Sequence, residues 1–192
     1  MTQATQQAIL DFWFGAPEAP VYGTTREPWF RKDPAFDNEI RSRFGAALEA
    51  ALAGDMADWT SPRAALARVL VLDQFTRNCY RDSGRAFAGD ALALAAAGAA
   101  VEQGQDRELI PVERWFLYMP FQHAESVAAQ QRSLALFTRL RDEGGLGGPL
   151  EWAEKHADVI RRFGRFPHRN ALLGRASTPE ETAFLATPGS RF

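Results

Sequence analysis

The sequence predicts an all-α protein, with helical hairpins stacked as a right-handed array or packed as an irregular bundle. Three observations predict it. The 192 residues hold 33 Ala and 18 Leu against 7 Val and 4 Ile, and Ala and Leu favour helices where β-branched residues favour strands. No segment has four or more alternating β-branched positions, the period-two pattern of a half-buried strand. Helix start and stop residues punctuate the whole chain, and apolar residues recur between them at helical period. Short turns between successive helices make hairpins, which can stack as an array. No repeat of fixed period is present, so array and bundle both remain open. The length fits a single all-helical domain over residues 1–192 with a sizeable core, ending in an exposed tail at 187–192.

The elements follow in order. A short helix over 3–14 is closed by Gly15 and the Pro17/Pro20 loop. Asp33-Pro34 pairs a strong N-cap with proline at the first helical position, opening a helix that ends near Gly54. Phe36, Ile40, Phe44, Leu48 and Leu52 keep its period. Ser61-Pro62 repeats the start signal for a central helix reaching about Tyr80. An alanine-rich helix over 85–103 ends at Gly104, and its small side chains let a neighbour approach closely. Pro111 starts another helix, which Pro120 is expected to bend or interrupt before a helix over 122–143. The glycine-rich run 144–149 reads as an interhelical turn. A helix over 150–163 and a short one after Pro167 follow. Thr178-Pro179-Glu180-Glu181 forms a capping box opening a final helix to about Ala186.

A net charge of −2 gives no general reason to bind nucleic acid or an anionic membrane. Lys32 and Lys155 are the only lysines beside 20 arginines, and arginine makes bidentate contacts with carboxylate or phosphate that lysine does not. Cys79 is alone, which excludes an intrachain disulfide and a cysteine-based zinc site. The N-terminus lacks the basic and apolar regions of a signal peptide. The longest apolar stretch, 91–101, is too short for a bilayer. A cytoplasmic location is expected.

Polar residues in apolar surroundings carry the functional signal. Residues 66–78 read as a helix apolar on nearly all sides, hence buried, yet Asp73, Gln74, Arg77 and Asn78 lie in its second half. Residues 161–170 repeat the mixture with Arg165, Phe166, His168, Arg169 and Asn170. Buried polar groups are costly unless paired, so the two segments either pair or line a common cleft. Arg77, four residues after Asp73, is within reach of its carboxylate. His156, on the stripe of Trp152, Val159 and Phe163, fits a hydrogen-bonded core histidine. His123 has Glu125 and Ser126 beside it. His168 sits at a short helix's start among Arg165, Arg169 and Asn170, where free N–H groups attract anions.

The candidate catalytic residues are therefore His123, Glu125, His168 and Asp73. The candidate ligand-binding residues are Gln74, Arg77, Asn78, Arg165, Arg169 and Asn170. No metal is expected, since His123 and Glu125 diverge on a regular helix and no H-E-x-x-H or His-x-His pair occurs. No G-x-S-x-G elbow and no phosphate-binding glycine loop is present. No cofactor is implied.

The succession Asp11-Phe12-Trp13-Phe14-Gly15, Trp29-Phe30, Leu72-Asp73-Gln74-Phe75-Thr76-Arg77-Asn78, Ala86-Phe87-Ala88-Gly89-Asp90, Arg114 through Glu125 and Arg165 through Arg175 resembles a bacterial family known as domain of unknown function 924. The resemblance covers nearly the whole chain. Thr76 stands where the family pattern has proline, and Ala124 where it has serine. The resemblance implies a tetratricopeptide-like helical fold and no activity.

The leading expectation is a binding module whose arginine-rich polar cleft takes a small anionic molecule or an acidic peptide, with neither nucleic acid nor membrane as partner. The alternative is a hydrolase- or lyase-like enzyme using a histidine general base in an enclosed pocket. A third expectation is that all these polar groups pair helices internally. A long open groove favours the module, whereas a closed pocket with a histidine within hydrogen-bond distance of a carboxylate and arginines opposite favours the enzyme. The sequence sets no oligomeric state.

Overall fold

Helix α1 (Gln3–Phe14) and helix α2 (Pro34–Leu52) open the chain in the computed structural model, which describes residues 3–190. The last carbonyls of α1 are bonded by side chains of the following loop. Arg26 donates to the carbonyls of Phe12 and Trp13 at 2.7 and 2.6 Å, and the Trp29 indole to that of Trp13 at 3.0 Å. These contacts fold the loop onto the helix and let Phe12 and Trp13 build an aromatic core with Trp29, Phe36, Phe44, Phe75 and Phe116. Asp33 caps α2, accepting from the N–H groups of Ala35 and Phe36 at 2.9 and 3.2 Å.

A continuous helix over 62–79 forms the centre. It runs as α3 (Pro62–Val69), widens into a π-helical turn (Leu70–Phe75) and resumes as α4 (Thr76–Cys79). Helix α1 packs on α3, and α2 lies against the π turn and α4. Every residue of the π turn is buried, which agrees with its near-continuous apolar sequence. The Ser61 hydroxyl makes no capping bond, so the Ser-Pro start rests on proline geometry alone.

The alanine-rich segment differs from expectation. It divides into a 3₁₀ turn (Gly84–Phe87) and helix α5 (Asp90–Glu102). Gly89 at the junction lies so close to the π turn that a Cβ there would stand 2.1 Å from the Leu72 carbonyl oxygen. Ala93, Ala96, Ala97 and Ala100 are buried on α5, which packs against α3 and α6 (Pro111–His123). The stretch Gly84–Glu102 has the hydropathy of a membrane-crossing segment. Its α-helical part of 13 residues is only about 20 Å long, short of the roughly 30 Å hydrocarbon core.

Pro120 does not interrupt α6, another departure from expectation. The helix ends at His123, and the break falls at Ala124–Ser126, where Ala124 is extended and Ser126 caps α7 (Val127–Gly144). His123 thus closes α6, whereas the sequence placed it on the following helix. Helix α8 (Gly148–Phe163) packs on α7 and α6. A 3₁₀ turn (Pro167–Arg169) precedes α9 (Pro179–Leu185), whose Thr178–Glu181 capping box is formed as expected. Of the expected exposed tail, Thr187–Gly189 are exposed. Ser190 is buried instead, its hydroxyl donating to the Leu185 carbonyl at 3.2 Å. Residues 191–192 lie outside the described residues.

Candidate active site

The π turn places the central carboxylate. An i→i+5 turn inserts a residue into the helix and disturbs the carbonyl ladder, and side chains take up the carbonyls here. The Thr76 hydroxyl donates to the carbonyls of Leu72 and Asp73 at 2.9 and 3.1 Å, and Arg77 Nη1 to that of Asp73 at 2.5 Å. The Asp73 side chain, 0% exposed, points at the end of α6. His123 Nδ1 stands 2.8 and 3.0 Å from its two oxygens. Gln74 donates to one of them at 2.6 Å, and Arg77 approaches the other at 3.2 Å.

Burial opposes the Asp73 charge. The neighbouring Arg77 and His123, with bonds from His123 and Gln74, outweigh it and hold this carboxyl well below the usual range. An ionised carboxylate only accepts hydrogen bonds, so His123 Nδ1 carries the proton. Burial also lowers the proton affinity of His123, more than Asp73 raises it. The ring is therefore neutral at pH 7, with Nε2 unprotonated. That is the tautomer a general base requires.

The end of α6 is held by side chains in place of another helical turn. Gln130 donates to the carbonyls of Gln122 and Ala124 at 2.7 and 2.9 Å. Arg169 donates to the His123 carbonyl at 3.0 Å. The Arg169 guanidinium lies between the rings of Phe87 and Phe166, 4.5 and 4.6 Å from their centroids. It also donates to Asp90 at 2.9 Å. Asp90 in turn stands 3.0 Å from Arg77, so one carboxylate bridges two arginines above the Asp73–His123 pair. The His156 ring is 6.0 Å from that of His123, and its Nδ1 donates to the Trp152 carbonyl at 2.8 Å. Burial, followed by the nearby His123, pushes His156 down to about 3, so it too is neutral.

Of the ten sequence-predicted residues, Asp73, Gln74, Arg77, His123 and Arg169 meet at this spot. The other five bond to other partners or lie at the margin of the site. Asn78 donates to Asp37 at 2.7 Å, beside Arg81. Arg165 forms a two-point pair with Glu181 at 2.7 and 2.8 Å, and Asn170 donates to the same carboxylate at 3.2 Å. Glu125 pairs with Arg175 at 2.6 and 2.9 Å and accepts from the Phe166 N–H at 2.8 Å. His168 has its ring 5.7 Å from that of Phe166, whose ring also packs on Arg169, so it borders the site. Asp90, Phe87 and Gln130 belong to the site and were missed. Phe87 and Asp90 had a signal, since both stand in the Ala86–Asp90 motif and Asp90 is its one charged residue.

Among the described residues no three His, Cys, Asp or Glu side chains are arranged to hold a metal ion. A surface hollow of about 320 Å³ lies elsewhere, between the start of α3 and α1, with Gln6, Gln7 and Arg63 on its walls.

Residues 9–189 match the model of a family described as "Bacterial protein of unknown function (DUF924)". The chain belongs to this family. The solved structure of a protein of unknown function from Agrobacterium tumefaciens, ATU0120, is similar to it at 41% identity and a TM-score of 0.85, covering 97% of this chain and 99% of that one. No curated protein matches the chain. The polar motifs that carried the resemblance to this family are the segments that meet around Asp73.

Proposed function

We propose that the protein is an enzyme of hydrolase or lyase type acting on a small anionic molecule, with His123 as general base. Its Nε2 accepts a proton from bound water or from a substrate X–H group and returns it to the leaving group. Asp73 and Gln74 are positioning residues: Asp73 fixes the ring's tautomer and stabilises the imidazolium formed when Nε2 is protonated, and Gln74 fixes Asp73. Arg77 and Arg169 supply the positive charge that holds the substrate. The observation that carries this is the contact of His123 Nδ1 with both oxygens of a carboxylate that is 0% exposed. An open groove for an acidic peptide has less support, because Arg165, Asn78 and Asn170 are engaged in internal bonds.

The test combines tautomer and turnover. The ¹⁵N chemical shifts of His123 at pH 7 are expected to report a neutral ring protonated at Nδ1. Panels of carboxylate and phosphate esters and of small hydroxy acids are expected to reveal turnover that His123→Asn abolishes, since Asn keeps a donor for Asp73 without a base. A charged His123 ring, or turnover undiminished in folded His123→Asn, overturns the proposal.

A further inference from the structure

We infer that the space between Arg77 and Arg169 is a carboxylate subsite, occupied in the free protein by Asp90 and taken over by the carboxylate of a small monoanionic substrate. This rests on the proposal that a substrate enters at the Asp73–His123 pair, and it names that substrate's class.

Access comes first. The side chains of Arg77 and Asp90 are 22% and 19% exposed, against 7% for Arg169 and 0% for Asp73. Arg77 and Asp90 are thus the parts of the cluster that reach solvent, although the atoms by which they face each other, Arg77 Nη2 and Asp90 Oδ1, are buried.

Hydrogen bonding is incomplete at that edge. Arg77 Nη2 and Asp90 Oδ1 are 3.0 Å apart, close enough for charge attraction. Both atoms are buried and held to each other by this single ion-pair contact, and Arg169 Nε is buried with no hydrogen-bond partner. Buried guanidinium donors without acceptors are costly, and a freely placed carboxylate can align with a guanidinium edge as a tethered one does not. Arg169 is held by four contacts: the rings of Phe87 and Phe166, Asp90 and the His123 carbonyl.

Charge and tether complete the argument. With His123 neutral, the two aspartates and two arginines sum to zero. Rotating Asp90 into solvent leaves one positive charge, which a monoanion neutralises and a dianion overshoots. Asp90 is the first residue of α5, and Gly89 before it is packed on the Leu72 carbonyl. The backbone stays in place, and the carboxylate leaves by side-chain rotation alone.

The experiment follows the arginine Nε–H signals by NMR while acetate is added at constant ionic strength, with chloride as reference. Acetate is expected to shift Arg77 and Arg169 and to leave Arg165 and Arg175, which hold Glu181 and Glu125, in place. Apparent affinity scales with the fraction of molecules in the competent state, so Asp90→Asn, which removes the competing charge, should bind acetate about ten-fold more tightly. Equal shifts at all four arginines, chloride acting as well as acetate, or a folded Asp90→Asn binding no tighter than wild type overturns the inference. Should Asp90→Asn not fold, the wild-type titration decides. His123→Asn is expected to keep acetate binding. Failure of the base proposal thus leaves this readout unchanged, whereas lost acetate response with His123-dependent turnover sinks the subsite alone.

Discussion

Asp73 shows how a single residue couples fold and site. It is fully buried and ionised, and three side chains satisfy it: His123, Gln74 and Arg77. Replacing one partner of such a pair leaves the others buried and uncompensated, at a cost of about 3–5 kcal/mol. Asp73→Ala is therefore expected to lose that much in urea unfolding, and Asp73→Asn less, because its amide oxygen still accepts from His123 Nδ1. Equal losses for both variants would mean that the charge of Asp73, which both remove, carries the whole effect and that the acceptor for His123 Nδ1 adds nothing. At this scale the sequence was informative where chemistry and spacing agreed. Asp73 and Arg77 stand four apart in an apolar run, so their meeting follows from helix geometry. Arg165 and Asn170 sat in an equally suggestive run, but their partner Glu181 also belongs to the capping box of α9. A glutamate assigned to a cap gave no sign that it also collects an arginine and an asparagine. Asp90 was missed because its role depends on two arginines, 13 residues before it and 79 after it in the chain.

Among the elements, the proline-marked helix starts at 34, 62, 111 and 179 were legible, whereas the start of α5, the break between α6 and α7 and the π turn were not. Asp33-Pro34 and Ser61-Pro62 looked equivalent, and both helices start there. Only Asp33 caps with its side chain. Asp33→Ala is expected to cost about 1 kcal/mol and Ser61→Ala to change stability little, a contrast that paired thermal melts would check. The π turn left no mark on a pattern already apolar all round. The glycines of the alanine-rich segment make the distortion testable. At Gly89 a Cβ would meet backbone at 2.1 Å, whereas at Gly98, inside α5, it would meet nothing within 4 Å. Gly89→Ala is expected to destabilise by about 1–3 kcal/mol or more and to displace Asp90. Gly98→Ala should stabilise by roughly 0.5–1 kcal/mol through helix propensity. Opposite signs for the same substitution, read by chemical denaturation, test the close packing of the Gly89 junction on the π turn. A neutral Gly89→Ala would refute it.

Across the whole molecule, ion pairs fasten the segment after α8 to the earlier helices: Arg169 with Asp90 and Arg175 with Glu125. The all-α class was legible from composition and punctuation, because helix propensity and capping act locally. That segments 66–78 and 161–170 come together was legible from their buried polar groups, and they meet through Arg77, Asp90 and Arg169. Which side chains bond there was not legible, because that depends on how α6, α8 and the 3₁₀ turn around Arg169 pack. Their meeting buries two neutral histidines, and this sets the response to acid. His156 is held at about 3, whereas an unfolded histidine titrates near 6.5. Between those values the unfolded chain binds the proton and the native state does not, so stability is fully present above about pH 6.5 and declines as pH falls. His123, lowered in the same direction, adds to the decline. Glu125, lowered from its ordinary value despite its burial by Arg175 and the Phe166 N–H, and Glu181, brought to about 2 chiefly by Arg165, respond only below the usual glutamate range near 4.3. Wild type should therefore weaken in two stages. The first begins below pH 6.5, with a slope of up to about 1.4 kcal/mol per pH unit for each histidine. His156→Gln, stable or not at pH 7.5, should show a shallower loss between pH 7 and 5 in urea titrations and the same second stage below it. Parallel curves for the two proteins would mean that His156 takes up its proton in the native state, and that the cluster around His123 is wetter than its burial implies.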